Sequence, residues 1–420
     1  MVYKALPGTK DILPPEILLW QELEEKAKAI FSSYHYQEIR TPIMEELKLF
    51  VRSVGETTDI VEKEMFSFKD RGGREVCLRP EATASCVRAY LQSNLPLSEA
   101  GVKFFYLGPM FRAERPQAGR YRQFHQMGVE VLGSTSYLVD AEVISLSIEL
   151  LHAFGLKSFL LKLNSLGCFE DKKVISEKYR EILFRKKEEL CLLCQKRMER
   201  NVLRVLDCKE GKCKRLIAEL PPTPELICKE CQKHFQSLQE VLSLLKIDYR
   251  IEPHLVRGID YYTRTVFELV SEELGAQDAL AAGGRYDNLI EYLGGPSLGA
   301  VGFALGMERI ILALKKSCRL NLEEKCLDIF LITLGEEAGK EGFFLMQLLR
   351  KKGISIDMDY TEKSLKAKMR RANRLKAKFV LIIGEEEIKQ GNYLLREMSS
   401  GKQELLRKEN ITEELCKRLR

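Results

Sequence analysis

Apolar side chains recur every three or four positions in ILLWQELEEKAKAIFSSY, a segment that starts at Ile17. This spacing predicts a helix, and Pro14 and Pro15 stand just before it, where proline is tolerated. The next segment, YQEIRTPIME, is strand-like, and Pro42 restricts it to a sheet edge or to the end of a pairing run.

Strand patterns follow in the next part of the chain. The segment EVCLRPEATASCVRAYLQ predicts a strand, a turn and a helix in that order. VKFFYLGPMFRAE and RQFHQMGVEVLG alternate between apolar and polar positions and predict a long hairpin, with ERPQAGRYR at its tip. VDAEVISLSIELLHAFGL predicts an amphipathic helix, and the segment SFLLKLNSLG after it predicts a strand.

The pattern changes twice further along. From about 169 to 245 the chain is charged and cysteine-rich with little strand character, which predicts an inserted helical module. Strands resume at IDYRIEPHLVRGIDYYTRTVFELV, followed by Gly-rich turns and a helix in GAVGFALGMERIILAL. From Cys326 short apolar strands alternate with helices, which predicts a small α/β domain with a mostly parallel sheet. The predicted domains are therefore 1–325, an α+β domain on an antiparallel sheet, and 326–420.

Composition fits a folded protein that works in water. Hydrophobic residues make up 45% and charged residues 30% of the 420 positions. No apolar run reaches the ~18 residues of a membrane span, and the N-terminus lacks the layout of a signal peptide, so we expect a cytoplasmic protein with no membrane contact. The net charge of +6 permits a nucleic-acid partner without requiring one.

Six of the twelve cysteines fall between Cys191 and Cys231. Two CxxC pairs, CLLC and CKEC, have a spacing that suits a tetrahedral Zn²⁺ site of thiolates. Cysteines also serve as small buried hydrophobic residues, so a zinc site and an apolar cluster both stay open. His234 is a spare candidate ligand, although a position on the helix surface is the favoured interpretation. The candidate zinc ligands are Cys191, Cys194, Cys228 and Cys231.

The hairpin loop FRAERPQAGRYRQFHQMGVE is rich in arginine. Arginines on a rigid antiparallel frame suit a polyphosphate, because each guanidinium binds two oxygens at once. A solvated basic loop is the alternative, but interspersed acids and aromatic residues that can stack on a base argue against it. The four arginines of the loop are Arg112, Arg115, Arg120 and Arg122.

Several common kinds of catalytic site are not supported by the sequence. There is neither a Walker loop nor a dinucleotide fingerprint, and the five histidines form no HExxH motif. A GxSxG nucleophile motif is not found either. The remaining candidate chemistry is phosphate chemistry, in which arginines position the reactants and stabilise charge.

The segment LVRGIDYYTRTVFEL reads as a strand, yet charged residues stand among its apolar positions. The pattern alone does not say what these charges do. The family resemblance that this segment and others carry, given below, implies that its polar face is the floor of an active site, with Arg257 and Tyr262 pointing into it and Asp260 and Arg264 supporting them from behind.

Three segments, in this order along the chain, resemble the three motifs of class II aminoacyl-tRNA synthetases. They are YQEIRTPIME, FRAERPQAGRYRQFHQMGVE and GFALGMERI. LVRGIDYYTRTVFEL and AAGGRYDNLI resemble two segments peculiar to the histidyl-tRNA synthetases, and the last ~95 residues are similar to the anticodon-binding domain of a class II subgroup. The resemblance implies a histidine–tRNA ligase that forms histidyl-adenylate from ATP and then charges tRNA(His).

The resemblance also implies roles for residues at the ATP site. Arg112 corresponds to the arginine on the α-phosphate, and Arg309 to the arginine on the γ-phosphate. Arg257 corresponds to the family's own arginine on the opposite side of the α-phosphate, which does work that other class II enzymes leave to Mg²⁺. Mg²⁺ is still expected at the outer phosphates. The remaining ATP contacts correspond to Glu114, Arg120 and Phe124.

For the amino acid, the resemblance implies that Glu81 and Thr83 hold the α-ammonium group, with Gln126 close by. Glu130 and Tyr262 correspond to the pair that receives the imidazole, which has two N–H donors when it is protonated. Tyr261 corresponds to the neighbouring wall of the pocket. Ala82 stands where the family usually has glycine, and we expect only a local adjustment.

Class II catalytic domains pair through the first motif, so the resemblance also implies a homodimer. The basic run from Lys363 to Lys378 has eight Lys and Arg and no acid; it is either a solvated helix face or a surface for tRNA phosphates. Two alternatives keep the fold and drop the activity. One is a synthetase paralogue that acts as regulatory subunit of ATP phosphoribosyltransferase, and the other is an RNA-binding module with a dead active site.

Overall fold

The computed structural model describes residues 3–55, 58–93, 101–271, 274, 279–317 and 326–419. The chain divides into two units, Met1–Leu322 and Glu323–Arg420. Each unit has its own sheet and its own apolar core. None of the described helices is long and apolar enough to cross a membrane.

The first unit is built on an antiparallel sheet. Its strands are β1 (Gln37–Glu38), β2 (Met44–Glu46), β3 (Ser67–Lys69), β4 (Glu75–Leu78), β5 (Val102–Phe111), β6 (Gln123–Leu132), β7 (Leu160–Ser165), β8 (Tyr249–Ile251), β9 (Thr263–Val270), β10 (Ala279–Arg285) and β11 (Ala300–Gly306). Eight of them form a sheet in the order β1-β5-β6-β11-β10-β9-β7-β8, and β2, β4 and β3 form a small one. Only the outermost pairs of the large sheet, β1 with β5 and β7 with β8, are parallel. The predicted antiparallel α+β architecture is confirmed.

Helices cover this sheet and project from one end of it. They are α1 (Glu16–Ser33), α2 (Leu47–Val54), α3 (Thr83–Ser93), α4 (Tyr137–Ala153), α5 (Phe169–Phe184), α6 (Leu192–Arg200), α7 (Gly211–Ala218), α8 (Thr223–Leu226), α9 (Lys229–Leu244), α10 (Leu289–Tyr292) and α11 (Met307–Lys316). Helix α1 buries Leu23, Ala27 and Phe31 at the predicted spacing. Helix α4 begins where the Ser136 hydroxyl accepts the N–H of Leu138 at 3.2 Å.

The long hairpin of β5 and β6 is confirmed, and it carries much of the cleft described below. Val102 pairs with Leu132 at one end and Phe111 with Gln123 at the other, so residues 112–122 form the predicted tip. On its other side β6 pairs with β11, which puts Glu130 opposite Gly302. A Cβ atom on Gly302 would collide with the Glu130 carboxylate. The glycine therefore makes the room in which the carboxylate lies.

The segment 169–245 is helical, as predicted, with helices α5 to α9 and no strand among its residues. It has a core of its own, which includes Ile175, Tyr179 and Met198. Helix α9 is an exception, because Phe235 and Leu238 on it pack into the core of the large sheet. The module is thus anchored to the main body through its last helix.

The prediction of one continuous strand in LVRGIDYYTRTVFEL is wrong in its first half. Strand β9 starts at Thr263, and the residues before it form turns. The backbone there turns inward: the N–H of Asp260 donates to the carbonyl of Val54 at 3.1 Å. The ammonium group of Lys172 holds the carbonyls of Asp260 and Tyr262, each at 2.8 Å. Apolar residues in this turn region imitate the spacing of a strand.

The second unit has five strands and four helices in its described residues. They are β12 (Ile329–Leu334), α12 (Glu336–Lys351), β13 (Ile356–Met358), α13 (Leu365–Arg374), β14 (Phe379–Gly384), α14 (Glu385–Gln390), β15 (Asn392–Glu397), β16 (Gln403–Arg407) and α15 (Ile411–Leu419). The order is β13-β12-β14-β15-β16. The first three strands are parallel, as predicted, whereas β15 and β16 add an antiparallel half that the pattern did not predict.

The basic run on α13 is only partly solvated. Lys368 is buried, and its ammonium group donates to the carbonyl of Thr333 at 3.0 Å. Arg371 lies 3.7 Å from Asp357 and 3.6 Å from Asp359. Lys366 and Arg370 remain exposed. Lys378, the last residue of the run, lies 2.8 Å from Asp328. Interpretation of the whole run as a solvated face is therefore wrong, because at least three of its cations have partners inside the unit.

Candidate active site

One cleft of the first unit brings together all of the predicted substrate-binding residues. The empty space in it is roughly 980 Å³, a volume that includes open solvent at its mouth. Residues come from the start of α3, the β5–β6 hairpin, the turn before β9 and the start of α11. The predicted residues that line it are Glu81, Thr83, Arg112, Glu114, Arg120, Phe124, Gln126, Glu130, Arg257, Tyr261, Tyr262 and Arg309.

Arginines gather at one end of the cleft. Arg309 is held by the carbonyls of Ala279, at 3.0 Å, and Gly119, at 3.3 Å. Burial, together with the positive charges of Arg120 and Arg112, lowers the pKa of Arg309 to about 10. An anion in this cleft would relieve that repulsion, so the electrostatics favour a polyphosphate.

The hairpin positions Arg112 beside an aromatic ring. Its guanidinium donates to the carbonyl of Pro80 at 3.0 Å and lies 5.2 Å from the centre of the Phe124 ring. Glu114 lies 3.0 Å from Arg120 and 3.9 Å from Arg112. The negative charge of this carboxylate offsets part of the repulsion between the two arginines.

Arg257 reaches the cleft from the turn before β9. Its guanidinium pairs with Glu268, and its carbonyl accepts a hydrogen bond from Arg204 at 3.4 Å. Its Nε atom is buried without a hydrogen-bond partner. A buried donor of this kind favours an incoming acceptor such as a phosphate oxygen.

Glu81 uses both of its carboxylate oxygens at the start of α3. They accept the N–H groups of Thr83, at 2.6 Å, and Ala84, at 3.0 Å. Burial nevertheless raises the pKa of Glu81. The methyl group of Ala82 packs in a small buried cluster with Tyr106 and Met110, so the departure from glycine is accommodated locally.

The other end of the cleft is closed by Glu130, which is 1% exposed. Its carboxylate accepts the Thr83 hydroxyl at 2.6 Å and the hydroxyl of Tyr286. Burial raises the pKa of Glu130 to about 8. Nearby, the Oε1 atom of Gln126 is buried without a hydrogen-bond partner, so an acceptor is available for a donor in the cleft.

Tyr286 is a residue that sequence reasoning missed. It belongs to AAGGRYDNLI, which the family resemblance singled out without giving any residue in it a role. Tyr262, the predicted phenol partner of Glu130, also lines the cleft, and its ring lies 4.8 Å from that of Tyr261. The phenol that donates to Glu130 in this structure is therefore Tyr286 rather than Tyr262.

A buried ion pair connects α4 to β10. Arg285 and Asp140 are both fully buried, and their side chains are 2.7 Å apart. Asp140 also accepts the Thr265 hydroxyl at 2.6 Å. His234 is 8% exposed and lies 3.6 Å from Asp140, so the surface position favoured from sequence is wrong. These contacts tie α4 and α9 to β9 and β10, and no local spacing announces them.

Asp260 and Arg264 differ in their positions relative to the cleft. The Asp260 carboxylate accepts the side-chain amide of Asn201 at 3.0 Å, which fastens the turn that carries Arg257. Arg264 has a positive φ of 45° and turns toward Glu230, 2.7 Å away. The predicted supporting role therefore fits Asp260, which holds the turn with Arg257, better than it fits Arg264.

The structure separates the two CxxC pairs that sequence reasoning combined. One pair joins Cys208 and Cys213, and the other joins Cys168 and Asp171. The predicted ligand set is therefore wrong, because helical folding of the module brings each pair to different neighbours. The first group is Cys191, Cys194, Cys208 and Cys213, and the second is Cys168, Asp171, Cys228 and Cys231.

Comparison with known proteins covers both units. The family model described as histidyl-tRNA synthetase matches residues 8–310, and the model described as anticodon binding domain matches residues 328–418. The chain is 47% identical over 418 residues to the histidine–tRNA ligase of Halothermothrix orenii, across 99% of this chain and 100% of that protein.

Solved structures agree with these matches. The apo histidyl-tRNA synthetase of S. aureus is similar with a TM-score of 0.83 and 35% identity, over 99% of this chain and 100% of that one. A structure from Bacillus halodurans C, described as an ATP phosphoribosyltransferase regulatory subunit/histidyl-tRNA synthetase, shares the fold with a TM-score of 0.67. It is 21% identical and covers 91% of this chain and 99% of that one.

Proposed function

The chain belongs to the histidyl-tRNA synthetase family, and from that membership we propose that its cleft makes histidyl-adenylate from histidine and ATP and charges tRNA(His). One observation carries the assignment of chemistry to residues. Arginines and a deeply buried carboxylate line the same cleft, and the register of β6 and β11 separates them: Glu130 lies opposite Gly302, four residues before the end of β11, where the arginine-bearing helix α11 starts. The arginines suit a triphosphate, and the carboxylate suits a ligand with buried N–H donors.

In the first step the histidine carboxylate attacks the α-phosphate of ATP, and pyrophosphate leaves. The carboxylate is already ionised at neutral pH, so no strong base is needed. The rate depends on holding two anions in line while negative charge grows. In the proposal Arg112 and Arg257 hold the α-phosphate from opposite sides, and Arg309 holds the γ-phosphate.

The adenosine end of ATP has its own contacts. Phe124 offers a ring face on which a base can stack, and Arg120 and Glu114 stand next to it in the hairpin. Mg²⁺ that accompanies ATP would be held by the phosphates and would neutralise part of their charge. The residues of this chain orient the phosphates and exclude water from the reacting group.

Histidine selection rests on Glu130 and its neighbours. The α-ammonium group is assigned to Glu81, Thr83 and the unpartnered oxygen of Gln126. The imidazole donates to Glu130, where it replaces a contact that Thr83 or Tyr286 now makes, and Tyr262 receives its second donor. Analogues without these donors would leave Glu130 buried and unsatisfied, which discriminates strongly against them.

The tRNA and the second subunit complete the proposal. The unit from Glu323 onward matches an anticodon-binding model, so we assign tRNA recognition to it. A homodimer through the first class II motif and a cytoplasmic location follow from family membership and remain proposals.

The regulatory alternative is not favoured. The relative that matches the full length at 47% identity is a histidine–tRNA ligase, whereas the structure with the regulatory description shares only the fold. The arginines assigned to the α- and γ-phosphates, Arg112, Arg257 and Arg309, all line the cleft. A module with a dead active site is not favoured on the same ground.

Charging of a tRNA(His) transcript with labelled histidine tests the whole proposal. We expect ATP-dependent histidylation and none with a tRNA transcript for another amino acid. A protein that binds histidine and ATP but never charges the transcript would contradict the assignment and support the regulatory alternative.

A further inference from the structure

Four thiols of the helical module converge on one point. The sulfur atoms of Cys191, Cys194, Cys208 and Cys213 lie within 4.8 Å of one another, and those of Cys191 and Cys208 are 3.9 Å apart. A tetrahedral zinc ion with Zn–S bonds near 2.3 Å separates its ligands by about 3.8 Å, whereas disulfide sulfurs lie about 2 Å apart. We propose that these four cysteines bind one structural Zn²⁺ ion per chain.

The local backbone supports thiolates at this point. The N–H of Cys191 donates to the sulfur of Cys213 at 3.3 Å, and the N–H of Cys194 donates to the sulfur of Cys191 at 3.4 Å. Such N–H groups stabilise negative sulfur, and the first pair also stands at the N-terminus of α6. The spacing, C-x₂-C followed by C-x₄-C, falls within the range of structural zinc sites.

The second group of candidate ligands is built differently. Both oxygens of Asp171 accept backbone N–H groups, from Cys168 at 3.0 Å and from Cys228 at 2.9 Å. These bonds cap the N-termini of α5 and α9, and Cys228 is exposed. The carboxylate is thus already used in holding two helices together. We therefore assign no metal to this group and expect one zinc ion per chain.

The chain between the two ligand pairs reaches toward the cleft. Asn201 donates to the Asp260 carboxylate at 3.0 Å, and Arg204 donates to the carbonyl of Arg257 at 3.4 Å. Arg204 also lies 3.4 Å from Asp59. A zinc ion that pins both ends of this segment would fix the turn that carries Arg257. This positioning role rests on the proposed function, whereas the binding of zinc does not.

Metal analysis of the full-length protein, purified without chelator, tests the binding. We expect one zinc ion per chain, with an X-ray absorption spectrum of four sulfurs at about 2.3 Å. Zinc below about 0.2 equivalents in protein purified from zinc-supplemented cells would overturn the proposal. Two ions per chain, or a shell of three sulfurs and one oxygen, would overturn it too, because the latter matches the Asp171 group.

Matched variants locate the ion. Cys208→Ser is expected to lose most of the zinc, whereas Cys228→Ser keeps it. The reverse result would overturn the assignment. If Cys208→Ser does not fold, Co²⁺ exchanged into the wild-type protein gives a second measurement: intense thiolate-to-metal charge-transfer bands and tetrahedral visible bands support four cysteines, and their absence contradicts them.

Hydrogen–deuterium exchange tests the positioning role without using activity. Removal of zinc by a chelator should speed exchange in residues 255–262 while β5 and β6 stay protected. Unchanged exchange in 255–262 would overturn the role. A failed enzymatic assignment would appear separately, as zinc-loaded wild-type protein that shows no histidine-dependent reaction.

Discussion

Glu130 lies at the closed end of the cleft with Thr83 and Tyr286 on its two oxygens. Its raised pKa means that these surroundings favour a neutral carboxyl group, because burial penalises the charge. Donors from the imidazole would stabilise the ionised form instead. At the other end, Arg257 and Arg309 are held in place before any phosphate arrives, so little reorganisation is needed when ATP binds.

Substitution of Arg257 tests the phosphate end. Arg257→Ala should slow histidine-dependent ATP–pyrophosphate exchange by about a hundredfold or more, since a charge aimed at the reacting phosphate is removed. Binding of histidine, measured by calorimetry, should change much less. Arg185→Ala, at a side chain 74% exposed, is the control. Near wild-type exchange in Arg257→Ala would contradict its role.

The pH dependence of stability tests the buried carboxyl group. The pKa of Glu130 is raised from 4.5 to about 8 in the folded protein, so its contribution to stability is present below pH 4.5 and lost as the pH rises through about 8. Without histidine, the melting temperature of wild type should therefore fall more between pH 5 and 8 than that of Glu130→Gln. Parallel curves for the two proteins would show that Glu130 does not titrate there.

Strands and helices show where the sequence was informative. The β5–β6 hairpin and the arginine-bearing start of α11 were predicted, because apolar alternation and short motifs are local. The turn at Arg257–Tyr262 was not, since its apolar residues fit a strand equally well. Tyr286 and the Arg285–Asp140 pair were missed because residues distant in sequence meet only after the sheet forms. The predicted set of zinc ligands was wrong for the same reason.

The contact between β6 and β11 gives a prediction about a single methyl group. Gly302→Ala would put a Cβ atom against the Glu130 carboxylate, at a cost of about 1–3 kcal/mol if the strand shifts. We expect the KM for histidine in pyrophosphate exchange to rise by about tenfold or more. Gly339→Ala, where a Cβ meets no neighbour, should leave the KM unchanged. Equal values for both variants would contradict the packing described for Glu130.

The whole molecule combines a unit that carries the candidate active site with a unit that matches an anticodon-binding model. The sequence predicted that division, because short apolar strands begin to alternate with helices near Cys326. The family matches extend across both parts. The chemistry of the first unit was predictable because its motifs are specific. Which bases the second unit reads was not, because base recognition depends on surface geometry rather than on periodic patterns.

The exposed part of the basic run tests contact with tRNA phosphates. Lys366→Glu combined with Arg370→Glu should raise the KM for tRNA and reduce its salt dependence, because fewer counterions are released on binding. Pyrophosphate exchange, which needs no tRNA, should not change. Lys351→Glu with Lys352→Glu makes the same charge change on exposed positions at the C-terminal end of α12 and serves as the control. Equal effects of both double variants would indicate a non-specific charge effect.

ATP–pyrophosphate exchange, measured with each of the twenty amino acids, tests the central claim most directly. The cleft described above predicts rapid exchange with histidine and background rates with the other nineteen, because only histidine offers imidazole donors to Glu130 together with a carboxylate for the arginine end. Exchange that is absent with histidine, or that depends on a different amino acid, would contradict the account.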